Sequence, residues 1–112
     1  VILLPNLRTG RGLNDREHWR VRAKRVKAEK EAAAWELARW AEKPPLPCVV
    51  TLTRFAPSNG LDDDNLAGSL KGVRDAVAAW LGVDDRDRKR VRYVYEQQRA
   101  AWAVGISFEG WP

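Results

Sequence analysis

Lys43-Pro44-Pro45-Leu46-Pro47 sets the strongest limit on what this chain can fold into. The residue before a proline is pushed out of helical dihedrals, and proline lacks the amide that a helix or sheet interior needs. A helix arriving from the N-terminal side therefore stops there, and the prolines act as a stiff connector to whatever follows. The parts on either side must share a core, because 112 residues suffice for one modest core and not two. The expectation is a single domain over residues 1–112.

Before the connector, residues 1–13 read as an irregular or strand-like lead-in, broken by Pro5, Gly10 and Gly12. Asn14 can cap a helix, and Glu17 completes a capping-box pattern. Trp19, Ala23, Val26, Ala33, Leu37 and Trp40 then form an i, i+4, i+7 apolar stripe to about Glu42, interrupted by Lys30, whose head should reach the edge. The other faces carry Arg16, Arg20, Arg22, Lys24, Arg25, Lys27 and Lys30. Such a run is either a solvated charged face or a surface that contacts phosphates.

After the connector, Cys48 to Phe55 is rich in β-branched residues and reads as a strand. Pro57-Ser58-Asn59-Gly60 is a loop that leads into Leu61-Asp62-Asp63-Asp64-Asn65. The spacing of Leu66, Leu70, Val73, Val77 and Trp80 or Leu81 predicts one continuous helix, capped by Asp64 or Asn65 and stopped at Gly82. Residues 90–96 and 101–108 alternate as strands, and the short turn between them predicts a terminal β-hairpin. The fold class is α+β, with two main helices on a small mixed or antiparallel sheet.

The charge balance narrows the function classes. Lys and Arg outnumber Asp and Glu by 20 to 15, which favours an anionic partner. No apolar run is long enough to span a bilayer, so nucleic acid is preferred to membrane. One cysteine, Cys48, and one histidine, His18, leave no disulfide framework and nearly exclude a zinc site. A reducing cytoplasm fits that usage, and Val1-Ile2-Leu3-Leu4 is too short for a signal-peptide core.

An acidic run in a basic chain points to a divalent cation held against a phosphate. If 62–64 is extended, Asp62 and Asp64 point to one side and can hold Mg²⁺ or Mn²⁺ through oxygen. Along the following helix Asp64, Gly68, Lys71 and Asp75 share a stripe, so Lys71 can reach a phosphate or a leaving oxygen. The same acids serve equally as a helix cap and dipole complement, and Asp84-Asp85 as a solvated turn after the helix.

Leu61-Asp-Asp-Asp-Asn-Leu66, Lys71, Val73-Arg-Asp-Ala76 and Leu81-Gly-Val-Asp-Asp85 together resemble the RusA-type Holliday junction resolvases of phages and prophages. His18-Trp19-Arg20, the strand Val50 to Arg54 and Tyr93 to Glu96 extend the likeness over most of the chain. That resemblance implies a small homodimeric, Mg²⁺-dependent endonuclease that nicks four-way DNA junctions in pairs and uses no small-molecule cofactor. Carried over by position, Asp62 and Asp64 match the family's metal-binding aspartates, Asn65 its asparagine, and Asp85 its third aspartate with Asp84 beside it. Lys71 matches the catalytic lysine across an insertion close to one helical turn. Leu61 stands where a basic residue is expected, which transfers a phosphate contact to Arg54.

A straight helix from Leu66 to Leu81 would run roughly 24 Å. The four residues after it recover at most ~14 Å. Asp85 therefore joins Asp62 and Asp64 only if the helix is interrupted near Gly68, bends, or sends Asp85 to the partner subunit's site. Two non-enzymatic readings stand beside the nuclease: a DNA- or RNA-binding module, including a junction binder that does not cut, and an assembly protein with a tryptophan-rich surface.

Overall fold

The computed structural model describes residues 2–10, 19–40, 42–58, 60–84 and 86–111, with the side chain of Trp40 excepted. The Asn14–Glu17 capping box, Arg16, His18 and Asp85 lie outside the described residues. The elements are β1 (Ile2–Pro5), α1 (Trp19–Trp40), β2 (Cys48–Ala56), α2 (Asp63–Ser69), α3 (Lys71–Leu81), β3 (Val91–Arg99) and β4 (Ala103–Gly110). The α+β class holds, with three helices and a four-stranded mixed sheet among the described residues.

The strand order is β1-β4-β2-β3. β2 pairs parallel with β3, from Cys48 opposite Val91 to Ala56 opposite Arg99, and antiparallel with β4. The terminal hairpin is thus overturned: β3 and β4 are consecutive and opposite in direction, yet β2 lies between them. Gln97–Arg99, expected to turn, continue β3 to its end instead. The Ala100 amide then donates to the Ala56 carbonyl at 3.0 Å, and the chain steps across the end of β2 to start β4. Alternation identifies strands but not their neighbours. The strand with the most complete alternation, β2, is hydrogen-bonded on both sides.

One face of the sheet carries the core. Leu4, Cys48, Val50, Leu52, Val91, Val104 and Ile106 pack with Ala33 and Leu37 of α1, with Leu66 of α2 and with Val73, Ala76 and Val77 of α3. On the opposite face Val49, Thr51, Thr53 and Phe55 are only half-buried. Among the described residues no helix is long and apolar enough to cross a membrane.

The expected single helix is two. α2 ends at Ser69, and Leu70 sits outside helical geometry at φ −104°, ψ 8°. Two local bonds tighten this end: the Leu70 amide donates to the Ala67 carbonyl at 3.2 Å, and Ser69 Oγ donates to the Leu66 carbonyl at 2.7 Å. A serine bonded back to its own helix next to Gly68 is a common cause of a kink. Gly82 does end α3, in the left-handed region at φ 71°.

The α1 stripe is corrected too. Trp19 is 67% exposed and Ala23 is exposed, while the buried line runs through Glu29, Ala33 and Leu37. Lys30 is exposed, as its place at the edge of the stripe requires. Glu29, 1% exposed, is paired with Arg25 at 2.9 Å, which lets a carboxylate occupy a core position. Against this part of α1, α3 comes very close: a Cβ on Gly72 would stand 2.8 Å from the Val26 carbonyl oxygen.

Candidate active site

The acidic run begins where Leu61 is fixed to the end of β3. Gln97 Oε1 accepts from the Leu61 amide at 2.8 Å, and Gln97 Nε2 donates to the Leu61 carbonyl at 2.7 Å. This side-chain amide copies one rung of a β ladder and sets where the next residue enters α2. Asp62 is the cap rather than Asp64 or Asn65, with extended dihedrals of φ −67°, ψ 169°. Its Oδ1 accepts from both the Asn65 amide and Asn65 Nδ2, each at 2.9 Å. Asn65 is consequently 7% exposed and holds the cap in place.

Asp63 and Asp64 already belong to α2, so the chain is not extended through 62–64. Positions two apart on a helix are rotated by roughly 200°, and strand alternation no longer sets Asp62 beside Asp64. Asp62, Asp63 and Asp64 are all exposed.

Asp64 lies one helical turn before Gly68, on the same face of α2. Gly68 lines a groove of about 620 Å³ between α1 and the α2–α3 pair, together with Lys71, Asp75, Trp19, Arg22 and Lys27. Arg25 and Lys30 border the same groove, so Lys71 joins the cations of the first helix. Lys24 is exposed on α1, and Arg20 is exposed with its guanidinium 5.2 Å from the Trp19 ring centre.

On the other side, Gly60 lines a second concavity of about 310 Å³ with Arg54, Ser58, Gln97 and Arg99. Arg54 is 3% exposed, donates from Nε to Thr9 Oγ1 at 3.1 Å and lies over the Trp102 ring at 5.5 Å. Burial lowers its pKa from the ordinary arginine value. A guanidinium fixed by a hydroxyl and a ring face is preorganised for an anion entering that hollow.

Asp84 sits in a separate turn, where its Oδ1 accepts from the Arg86 amide at 2.9 Å. Neither it nor Asp62, Asp63 or Asp64 lines the Lys71 groove, so the expected meeting of Asp64 with Lys71 is not seen there. Next to it, the Arg90 guanidinium holds the Asp87 carboxyl below its ordinary pKa through a 2.7 Å hydrogen bond.

The donors at the start of α2 are hard carboxylate oxygens, the type Mg²⁺ and Mn²⁺ prefer. Among the described residues no three His, Cys, Asp or Glu side chains form a group able to hold a metal. The fit is therefore to an ion carried by one or two carboxylates, with water and phosphate in its other positions. No protein-family model matches the chain, and no curated protein or solved structure matches it.

A third hollow was not anticipated from the sequence. Arg74, Arg88, Arg92, Tyr93, Tyr95 and Trp111 line a cleft of about 590 Å³ beside β3. The aromatic positions of β3 are visible as a strand face, but their meeting with Arg74 and Trp111 depends on how α3 and the chain after β4 are placed.

Proposed function

We propose that this protein is a metal-dependent endodeoxyribonuclease of the RusA type, acting on branched DNA such as a four-way junction. One observation carries the reading: exposed carboxylates begin α2, and the chain on either side of them, Gly60 before and Gly68 after, lines a hollow that also carries cations. Carboxylates flanked in the chain by phosphate-attracting surfaces suit hydrolysis of the strand that crosses them.

In this reading Mg²⁺, or Mn²⁺, would be carried by Asp64 or Asp62 with water and phosphate in its other positions, and Asp85 and its neighbour Asp84 are the remaining candidate ligands, within the chain or across a dimer. An ion held there would supply Lewis acidity to a coordinated water and to the scissile phosphate. Lys71 approaches the phosphate from the α3 wall of the groove and stabilises the leaving oxygen. Arg16, Arg20, Arg22, Lys24, Arg25 and Lys27 track the backbone, and Arg54 takes a phosphate in the smaller hollow. Asn65 fixes the orientation of Asp62 through its two hydrogen bonds. Two copies are expected, because a junction has approximate two-fold symmetry and its cuts are paired. A reducing cytoplasm fits a buried thiol that burial keeps protonated.

A second reading, a DNA-binding module that does not cut, draws support from the capping duty of Asp62. Nicking of a synthetic junction and of a linear duplex, with Mg²⁺ or EDTA, separates the two. Paired, metal-dependent nicks that vanish in Asp64→Asn are expected. Tight junction binding without cleavage leaves the binding module, and neither binding nor cleavage ends both readings.

A further inference from the structure

The cleft beside β3 has the composition of a site for one nucleotide unit. It runs from α2 and α3 along the edge strand of the sheet. Arg74, Arg88 and Arg92 line it, and no acidic side chain does among the described residues. Its walls supply the rings of Tyr93, Tyr95 and Trp111.

Two of these groups are fixed before any ligand arrives. Arg74 Nη1 donates to the Tyr95 hydroxyl at 3.2 Å, and the Trp111 amide donates to the Pro47 carbonyl at 3.3 Å. Guanidiniums match phosphate oxygens in a planar fork, whereas aromatic faces stack on any base. A volume of about 590 Å³ falls within the usual range for small-ligand sites. A duplex hides its base faces inside the stack and cannot offer them to ring walls in a cleft.

We propose that this cleft binds a nucleobase together with its phosphate, presented as an unpaired nucleotide of a strand or as a free mononucleotide. The proposal rests on the nucleic-acid part of the reading above and not on cleavage.

The test is equilibrium binding, in EDTA, of labelled deoxythymidine tetranucleotide and of a blunt hairpin duplex. Unlabelled dAMP, inorganic phosphate and a phosphotyrosine peptide serve as competitors. The variants are Arg88→Gln/Arg92→Gln, on two exposed side chains, and Trp111→Ala. A charge-matched control, Arg39→Gln/Lys43→Gln, alters exposed residues away from the cleft.

Single strand should bind better than duplex, and dAMP should compete where phosphate does not. Each cleft variant should lose about ten-fold or more in tetranucleotide affinity, with the control changing much less. Tetranucleotide binding ten-fold tighter than dAMP assigns the unit to a strand, and equal affinity assigns it to a free mononucleotide. Equal competition by phosphate, a peptide that outcompetes dAMP, or equal losses in cleft and control variants would overturn the proposal. Junction cleavage by wild type alongside such a result would leave the nuclease reading standing. The converse holds if cleavage fails and the cleft still binds.

Discussion

The chain has two acidic stretches, and their carboxylates do different things. Asp84 and Asp87 are bonded to their own surroundings: Asp84 accepts from the Arg86 amide, and Asp87 accepts from the Lys89 and Arg90 amides and the Arg90 guanidinium. At 62–64 one carboxylate caps α2, while Asp63 and Asp64 stand exposed in its first turn. The number of acids is similar, and their local duties are not. A carboxylate already bonded to its own turn has less to offer a ligand than one left exposed to solvent.

The sharpest break of that comparison is functional. Asp64→Asn should lower junction nicking by about 10²-fold or more while leaving the thermal midpoint nearly unchanged. Asp87→Asn should leave nicking close to wild type. Equal loss in both, measured side by side, would erase the distinction.

Asp62 separates cap from charge. Asp62→Ala should cost about 1–2 kcal/mol in urea unfolding, because the Asn65 amide and Nδ2 lose their acceptor. Asp62→Asn should stay within a few tenths of a kcal/mol, since asparagine caps as well. If both variants unfold alike, the cap is not what this side chain contributes.

Gln97→Ala removes two bonds that hold Leu61, both at an exposed site, and should cost about 1 kcal/mol or less in the same assay. A drop in nicking larger than the stability loss implies would show that Gln97 places the acidic run.

The smallest effect belongs to Asp87. Its folded pKa is lowered chiefly by the Arg90 hydrogen bond, so its contribution is present above the ordinary aspartate range and is lost as pH falls through the lowered value. Carboxyl NMR titration should return Asp87 toward the ordinary value in Arg90→Gln. No change there would remove the Arg90 bond from the comparison.

Much of the fold was legible where one residue type did one job. β2 announced itself through its wealth of β-branched residues, and Gly82 through the need for a left-handed stop. The break at Leu70 was not legible from periodicity, because a buried leucine continues an apolar stripe whether or not the helix bends there. What raised it was reach, since joining Asp85 to Asp62 and Asp64 called for an interruption near Gly68, a bend or a partner's site. The sheet order escaped for another reason: β3 and β4 each alternate, and nothing in their own sequences says that an earlier strand separates them. Around the candidate site, helix spacing joins Lys71 to Asp75 within α3, and Gly68 lines the same groove across the break at Leu70, whereas Asp64, expected in that stripe, does not line it. The capping role of Asp62 and the anchoring by Gln97 needed the loop's path.

The pairing of β1 with β4 sets Ile2 opposite Ile106. Until residues 103–110 emerge during synthesis, β1 lacks the strand it pairs with, and one side of β2 is an open edge. The earliest contacts available to the growing chain are those within α1, α2 and α3, and the sheet closes last across the longest loops. A pause in translation before β4 would leave β2 exposed on the side that β4 covers, which makes that strand the place where aggregation of the nascent chain would begin.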